Sequence, residues 1–323
     1  MSLPYDPEYF KILEPLLPVF AKRTPLTADN IVATRPVRNA GVAALINRLP
    51  DAEDLEETVY HAVAPDGFQV PVLALVKKSS SLPSSLGPAI LHFHGGGMLM
   101  GTAAMYARQL RPLVSQTGIP LFSVDYRLAP EVSGTTLVED GYAALQWLHS
   151  NATTFNIDPA RIAVFGQSAG GGLAAGVALL ARDRQISPPL AKQILVYPML
   201  DDRTQTVNEA IEPKAFWKTA DNVTAWTCVL GDKAGKPDAE VSPYAAPARA
   251  TSLAALPSTY IDVGALDIFR DEDIAYATRL LADGVDVELH VYAGIPHAFE
   301  VIAPNISATK RADENRLNAF LSF

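Results

Sequence analysis

The chain contains a single cysteine, Cys228, among its 323 residues. One thiol cannot form a disulfide within the chain, and it cannot build a zinc site from cysteines alone. The N-terminal residues also lack a basic segment followed by a continuous apolar core, which argues against a secretory signal. Together these absences predict a cytoplasmic protein.

Long apolar runs and an excess of positive charge are missing as well. No uninterrupted apolar stretch is long enough to span a bilayer, so we expect no stable membrane insertion. The formal net charge is -9 and the sequence pI is about 5.2, and no cluster of Lys and Arg is interleaved with aromatic residues. This charge balance is not that of a nucleic-acid-binding protein, and we expect no nucleic-acid partner.

Hydrophobic residues make up 49% of the chain, enough to bury a large core in one α/β domain. Short apolar runs alternate with segments of helical character. Strands are predicted at residues 57–63, 68–76, 89–93, 120–125, 161–165, 193–197, 258–263 and 286–292. Helices are predicted at 103–117, 138–150, 271–283 and 308–320, and after Ser168. This alternation indicates doubly wound α/β architecture, with a mostly parallel sheet opened by one antiparallel hairpin.

Three segments do not follow this alternation. Residues 1–50 are expected to form helical and loop pieces interrupted by prolines, among them Pro25 and Pro36. Residues 79–88 are rich in serine and predict a mobile surface loop. Residues 201–244 contain many aromatic and polar side chains but no strand pattern, which predicts an insertion over a functional site.

The segment Phe165–Gly172 places Ser168 between a predicted strand and a predicted helix. Gly166 and Gly170 suit a turn so sharp that a Cβ at either position would collide with the backbone. The serine would then be strained and would lie at a helix N-terminus, where unpaired N–H groups favour developing negative charge. The pattern predicts a nucleophile, although a flexible glycine-rich loop or a phosphate-binding turn would look similar.

A second glycine run, Gly95–Gly97, follows His94 at the end of a predicted strand. Consecutive glycines let backbone N–H groups face a cavity, and preorganised donors of this kind stabilise the oxyanion of acyl transfer. We expect Gly96, Gly97 and Ala169 to supply these donors and His94 to orient the loop. A plain turn is the alternative for this run taken alone.

Three motifs in this order resemble those of the hormone-sensitive lipase family of esterases: His94-Gly95-Gly96-Gly97, Asp125-Tyr126-Arg127-Leu128-Ala129-Pro130-Glu131 and Gly166-Gln167-Ser168-Ala169-Gly170-Gly171. The resemblance extends from about residue 88 to 299. It implies an α/β-hydrolase fold, with a mostly parallel eight-stranded sheet flanked by helices and a helical cap. It also implies a Ser/Asp/His triad, hydrolysis of short- to medium-chain acyl esters, and no metal or organic cofactor.

On this reading residues 1–50 form an N-terminal cap segment and residues 51–323 the catalytic domain, with 201–244 as a cap insertion. The sequence departs from many family members where Gln167 replaces an acidic residue and where Met98 replaces an aromatic one. Arg127 and Glu131 are expected to hold loops beneath the site rather than to act in catalysis.

The acid of the triad should follow the serine in the chain and precede the histidine. Asp267 lies just past the predicted strand 258–263 and matches the family's Asp-x-x-Arg-Asp pattern. Asp262 would lie within that strand, and Asp271 is expected to be the N-cap of the next helix. We therefore assign the acid to Asp267, with a surface loop acid as its alternative role.

His297 is the predicted base because it follows the last strand and lies in a segment resembling the family's His-Ala/Gly-Phe motif. His290 falls inside that strand, and the remaining histidines precede the serine. His297 would take the Ser168 proton while Asp267 fixes its tautomer.

The substrate pockets are expected near the N-terminal segment and the 201–244 insertion. Substrate contacts are predicted for Met98, Phe216, Trp217 and Trp226. Ordinary core packing is the alternative for each of them. A lactonase, a deacylase of a secondary metabolite and a non-catalytic binding module are the alternative functions. Edge pairing through the last strand would give a homodimer, and a monomer fits the composition equally well.

Overall fold

The structure is a computed structural model that describes residues 3–20, 23–78 and 85–323. Most of the predicted serine-rich loop, residues 79–84, lies outside the described residues.

Eight strands form one sheet in the described part of the chain. They are β1 Leu55–Val63, β2 Gln69–Lys77, β3 Gly87–Phe93, β4 Leu121–Val124, β5 Ile157–Gln167, β6 Lys192–Val196, β7 Ser258–Gly264 and β8 Val287–Tyr292. The strand order is β1-β2-β4-β3-β5-β6-β7-β8, and strands β4, β3, β5, β6, β7 and β8 run parallel. The predicted mostly parallel eight-stranded sheet is confirmed.

The antiparallel part of the sheet is larger than a single hairpin. Strands β1 and β2 form the predicted hairpin, and the N–H of Gly67 donates to the Ala64 carbonyl in its turn. Strand β2 also pairs antiparallel with β4, with Val72 opposite Val124. Strand β2 lies between β1 and β4 and runs opposite to both, so the antiparallel part of the sheet has two strand pairs.

The helices of the described residues are α1 Pro7–Leu13, α2 Leu17–Phe20, α3 Ile31–Ile46, α4 Ala103–Thr117, α5 Thr136–Ser150, α6 Ala169–Asp183, α7 Thr219–Leu230, α8 Arg270–Ala282, α9 Phe299–Ile302 and α10 Ser307–Phe320. Short 3₁₀ turns cover Glu14–Leu16, Ala152–Phe155, Gly231–Lys233 and Pro247–Arg249.

Successive side chains of the strands point to opposite faces of the sheet and belong to two apolar clusters, one on each face. Leu91 and Val164 belong to one cluster, which packs on α5 and α6, whereas their neighbours Ile90 and Phe165 belong to the other, which packs on α4 and α10. A sheet covered on both faces carries its functional groups at the strand ends, because the faces are buried.

Helix α3 contradicts the expectation that Pro36 interrupts the N-terminal segment. Pro36 lies inside this 16-residue helix. The proline removes the N–H that would donate to the Val32 carbonyl, but both residues are exposed, so water can solvate the freed carbonyl. One missing hydrogen bond on a solvated face does not end the helix.

Candidate active site

Ser168 occupies the turn between β5 and α6 with φ 56° and ψ -124°, a strained conformation for a residue with a side chain. The two flanking glycines make this turn feasible. A Cβ on Gly166 would lie 2.1 Å from the Gly170 carbonyl oxygen, and a Cβ on Gly170 would lie 2.0 Å from the Phe93 carbonyl oxygen. Neither position can hold a larger residue without moving the backbone.

The structure brings the three predicted triad residues together. Ser168 Oγ lies 2.9 Å from His297 Nε2, and His297 Nδ1 lies 2.6 Å from Asp267 Oδ2. In chain order, Ser168, Asp267 and His297 are 8%, 0% and 5% exposed. A buried chain of hydrogen bonds therefore links a hydroxyl, an imidazole and a carboxyl group.

Two adjacent loops hold the acid and the base in register. Asp267 follows β7. The backbone N–H of Phe269, in the same loop, donates to Asp267 Oδ1 at 3.1 Å. The N–H of Leu266 donates to the Ile295 carbonyl at 2.9 Å. A Cβ on Gly264 would lie 2.1 Å from the same carbonyl oxygen, so the loops that carry Asp267 and His297 are in close backbone contact.

Aromatic packing fixes the plane of the His297 ring. The ring makes edge contacts with Tyr197 and Phe269, with centroids 4.5 Å and 5.3 Å away. With Nδ1 directed at the Asp267 carboxylate, Nδ1 carries the proton and Nε2 is left to accept the proton of Ser168. This is the tautomer that a general base for a serine nucleophile requires.

The alternative acids and base do not reach the serine. Asp262 is buried in β7 and pairs with Arg316 at 2.7 Å. Asp271 is exposed in the first turn of α8 and pairs with Arg270. The expectation that Asp271 caps this helix is wrong, since the helix begins one residue earlier, at Arg270. His290 lies in β8, as expected, beside Glu288.

The glycine run forms a tight loop beside Ser168. Gly96 and Gly97 have φ values of 123° and 63°, and both line the same cavity as Ser168. A Cβ on Gly96 would lie 2.0 Å from the Met100 carbonyl oxygen. The N–H groups of Gly96, Gly97 and Ala169 donate no hydrogen bond to any described residue, so they are available to an oxyanion.

His94 and Tyr126 support this loop from below. His94 Nδ1 lies 2.8 Å from the Gly95 carbonyl oxygen, and the Tyr126 hydroxyl donates to the His94 carbonyl at 2.7 Å. The two rings stack with centroids 4.3 Å apart. Burial lowers the pKa of His94, so the imidazole acts here as a neutral hydrogen-bonding group. These contacts suit the orienting role expected of His94.

Gln167, one of the two residues that depart from the family pattern, directs its side-chain amide towards His92. Its Oε1 lies 2.7 Å from His92 Nε2, and His92 Nδ1 lies 2.9 Å from Ser123 Oγ. All three residues are buried, and burial lowers the pKa of His92 to about 3. A neutral amide next to a neutral imidazole avoids placing a charge in the core behind the serine.

A cavity of about 90 Å³ lies above the triad. Of the predicted substrate contacts, Phe216 and Trp217 line it, and Trp217 approaches Gly97 so closely that a Cβ there would lie 2.6 Å from its ring. Met98 and Trp226 do not line it; they are 1% and 0% exposed and belong to the hydrophobic core. The structure thus departs from the expectation for these two residues.

Sequence analysis assigned the N-terminal segment to the cap but did not identify which of its residues reach this cavity. Arg23 and Arg38 line it together with Val42, Leu45 and Ile46 of α3. No local pattern marks these residues, because their role comes from contact with segments far away in the chain.

Arg35 attaches α3 to the catalytic loops. Its guanidinium donates to the Leu99 carbonyl at 2.6 Å and to the Ala129 carbonyl at 3.0 Å, and it pairs with Glu131. Arg127 pairs with buried Asp140 in the same region. Arg127 and Glu131 thus hold loops beside the site, as expected from their charges.

Comparison with known proteins identifies the relatives of this chain. A family model described as the alpha/beta hydrolase fold matches residues 90–301. The chain is 36% identical over 236 residues to esterase LipI of Mycobacterium tuberculosis, covering 72% of each chain. It is 35% identical over 245 residues to carboxylesterase NlhH of the same species, covering 70% of this chain and 74% of the relative. The chain belongs to the hormone-sensitive lipase-like family of α/β-hydrolase esterases.

The solved structure of a bacterial heroin esterase extends this likeness to nearly the whole chain. It superposes with a TM-score of 0.87 and 36% sequence identity, over 98% of this chain and 96% of the other. These relatives make the protein a serine carboxylic ester hydrolase and set aside the alternative of a non-catalytic binding module. No helix among the described residues has the length and apolar character needed to cross a membrane.

Proposed function

We propose that this family member hydrolyses short- to medium-chain acyl esters through an acyl-enzyme formed on Ser168. The observation that carries the proposal is the buried hydrogen-bond chain from Ser168 Oγ through His297 to Asp267, with distances of 2.9 Å and 2.6 Å. Each link has the length that proton transfer between positioned groups requires.

In acylation, Ser168 Oγ attacks the ester carbonyl while His297 Nε2 accepts its proton. The Asp267 carboxylate stabilises the resulting imidazolium. Negative charge develops on the former carbonyl oxygen, and the N–H groups of Gly96, Gly97 and Ala169 are positioned to bind it. Collapse of this intermediate expels the alcohol, which takes the proton from His297.

In deacylation, a water molecule replaces the alcohol. His297 accepts a proton from the water as its oxygen attacks the acyl carbonyl, and the same N–H groups bind the second oxyanion. The acid is then released and Ser168 Oγ regains its proton from His297. No group other than the three side chains and the backbone donors is required.

The size of the cavity supports a short to medium acyl chain. Its volume is about 90 Å³, and Met100, Phe216 and Trp217 are among the residues that line it. Rigid aromatic side chains cannot fold away as easily as aliphatic ones, so we expect a long acyl chain to bind poorly.

Residues 1–50 and 201–244 are proposed to form the cap over this cavity. Arg23 and Arg38 of the first segment and Phe216 and Trp217 of the second supply cavity wall, which supports this division of the chain. The cytoplasmic location and a homodimeric state stay predictions.

A chain-length series tests the proposal. p-Nitrophenyl esters from acetate to laurate should give the highest kcat/KM between about two and eight acyl carbons, because the cavity beside Ser168 is small. Simple lactones are added to the series, so that kcat/KM for lactone cleavage is measured under the same conditions as kcat/KM for ester cleavage. Preference for laurate, or for lactones over all open-chain esters, would contradict the proposed substrate class.

A further inference from the structure

Two arginines line the catalytic cavity, and no aspartate or glutamate among the described residues does so. The contrast with the rest of the chain is sharp, since acidic residues outnumber basic ones and the net charge is -9. The arginines are Arg23, in the loop before α3, and Arg38, on α3. Positive charge in the cavity of an acidic protein needs an explanation in terms of what binds there.

Arg23 has no polar partner among the described residues. Its guanidinium forms no hydrogen bond or ion pair with them, and it lies over the Phe216 ring, 4.7 Å from the centroid. Phe20 packs edge-on against Phe216 with centroids 5.5 Å apart, which fixes the ring on which the guanidinium rests. An aromatic ring orients a guanidinium but leaves its N–H donors free.

Arg38 and Arg35 lie one turn apart on the same helix and differ in the number of polar groups that they contact. Arg35 donates to two carbonyls and pairs with Glu131. Arg38 donates to the Thr24 carbonyl and has no carboxylate partner among the described residues. Because a guanidinium has several N–H donors, Arg38 keeps donors for a ligand.

The two arginines also repel each other. Loss of hydration and the charge of Arg38 lower the pKa of Arg23, whereas the Asp221 carboxylate acts in the opposite direction. A guanidinium stays protonated even so. Two like charges held near one another are stabilised when an anion binds between them.

The two arginines also line a second cavity, of about 520 Å³. Phe216 is a third residue that the two cavities share. Lys214 and Lys218 line it as well. Its two carboxylates are occupied by other contacts: Asp221 accepts the N–H of Leu26 at 3.1 Å, and Glu212 accepts the Thr219 hydroxyl at 2.6 Å. Four cationic side chains and two carboxylates line this second cavity, so positive charge is in excess beside the catalytic cavity.

We propose that the preferred substrates are carboxylic esters that carry a carboxylate remote from the scissile bond, held by Arg23 and Arg38 while Ser168 attacks the ester carbonyl. This inference rests on the proposed ester hydrolysis. Arginine is the side chain best matched to a carboxylate, since two parallel N–H groups can bind its two oxygens. The reaction consumes only water and releases a dicarboxylic acid or a hydroxy acid, according to which part of the ester bears the carboxylate.

Matched substrate pairs test this charge preference. For a charged acyl part, mono-p-nitrophenyl adipate and suberate are compared with their neutral methyl p-nitrophenyl diesters. For a charged alcohol part, 4-acetoxybutanoate is compared with its methyl ester. After subtraction of uncatalysed hydrolysis, we expect kcat/KM to favour the anionic member at least tenfold in one or more pairs, in keeping with the strength of charge-assisted hydrogen bonds. Equal or lower values for the anion in every pair would overturn the inference.

Arg23→Gln and Arg38→Gln assign the preference to the two guanidinium groups. Each should lower kcat/KM for the preferred anionic ester about tenfold, mainly by raising KM, and leave the neutral diester within about twofold. Arg38→Lys should retain part of the preference because the charge remains. Arg48→Gln, an exposed arginine just after α3 that lines neither cavity, is the matched control and should change neither rate.

The neutral ester separates the two proposals. Hydrolysis of the neutral ester without an anion preference would overturn the charge inference alone, whereas hydrolysis of no ester would contradict the proposed function itself. Equal losses on both esters in Arg23→Gln and Arg38→Gln would show that these arginines support the structure and do not select the substrate.

Discussion

The two walls of the catalytic cavity are built in different ways. The first, the catalytic wall, carries Ser168, His297 and Asp267. It comes from strand ends of one sheet, and these three residues are at most 8% exposed. The opposite wall, the selecting wall, comes from α3 and from irregular segments near residues 23 and 216, and most of its side chains are exposed or half-buried. The core fixes the reacting groups, while the groups that would select the substrate lie where packing constrains them less.

The largest effect should come from the catalytic wall. Ser168→Ala and His297→Ala should each lower kcat on p-nitrophenyl butyrate about 10⁴-fold or more, because the nucleophile or its base is lost. His290→Ala is the matched control, since His290 lies in β8 and contacts Glu288. It should stay within about twofold of the wild type. Activity of Ser168→Ala within about tenfold of the wild type would refute the assignment of the nucleophile.

The oxyanion loop should show the next largest effect. In Gly96→Ala the new Cβ would overlap the Met100 carbonyl oxygen, at 2.0 Å, so the loop must shift and misplace its N–H groups. Loss of such a donor costs about 10²- to 10³-fold in kcat. Gly41→Ala is the control, because a Cβ at this helical position meets nothing within 4 Å. A Gly96→Ala enzyme with near wild-type kcat would place the oxyanion elsewhere.

Substitutions in the selecting wall should have smaller effects on activity, and these effects should appear mainly in KM. Arg35→Gln removes the contacts that attach α3 to the Leu99 and Ala129 carbonyls, so we expect KM to rise several-fold while kcat changes little. Glu131→Gln leaves both carbonyl contacts in place and should have a smaller effect, since one exposed ion pair contributes little. Steady-state kinetics on a neutral ester distinguish these outcomes. A large loss of kcat in Arg35→Gln would show that α3 also supports the triad.

The smallest effect concerns the pH dependence of stability behind the catalytic wall. Glu272 Oε1 accepts the N–H groups of Leu200 and Asp201, and burial raises the pKa of its carboxyl to about 8. The unfolded chain has a pKa near the ordinary value of about 4.3 for glutamate. The folded state therefore holds the proton more tightly, and the free energy of unfolding falls as pH rises from about 4 to about 8.

Glu272→Gln keeps an oxygen acceptor for both N–H groups and has no carboxyl to ionise. Its melting temperature should fall less between pH 5 and pH 8 than that of the wild type, by a few degrees. Thermal melts of both proteins at the two pH values measure this difference. Parallel pH profiles would show that the Glu272 carboxyl is not desolvated.

The sequence predicted the catalytic wall well because strand ends and glycine geometry are local features. The helix predicted at 103–117 has these bounds in the structure, and Ser168, Asp267 and His297 lie together as their order in the chain implied. Steric limits on the turn at Gly166 and Gly170 leave few other arrangements.

The selecting wall was predicted less well because it depends on contacts between distant segments. Trp217 reaches the cavity from the residues before α7, whereas Trp226 lies on the buried face of that helix. The buried positions Asn222, Ala225, Trp226 and Val229 follow helical spacing, a signal that could have placed Trp226 in the core. Arg23 and Phe216 are 193 positions apart in the chain, and no local pattern encodes their contact.

Covalent labelling tests the central claim, that Ser168 is activated by His297 and Asp267. The folded protein is treated with a fluorophosphonate, digested and mapped by mass spectrometry. We predict one adduct per chain, on the peptide that contains Ser168, and a strongly reduced labelling rate in His297→Ala. An unlabelled Ser168 in folded, ester-hydrolysing protein, or an adduct on another residue that abolishes activity, would contradict the account.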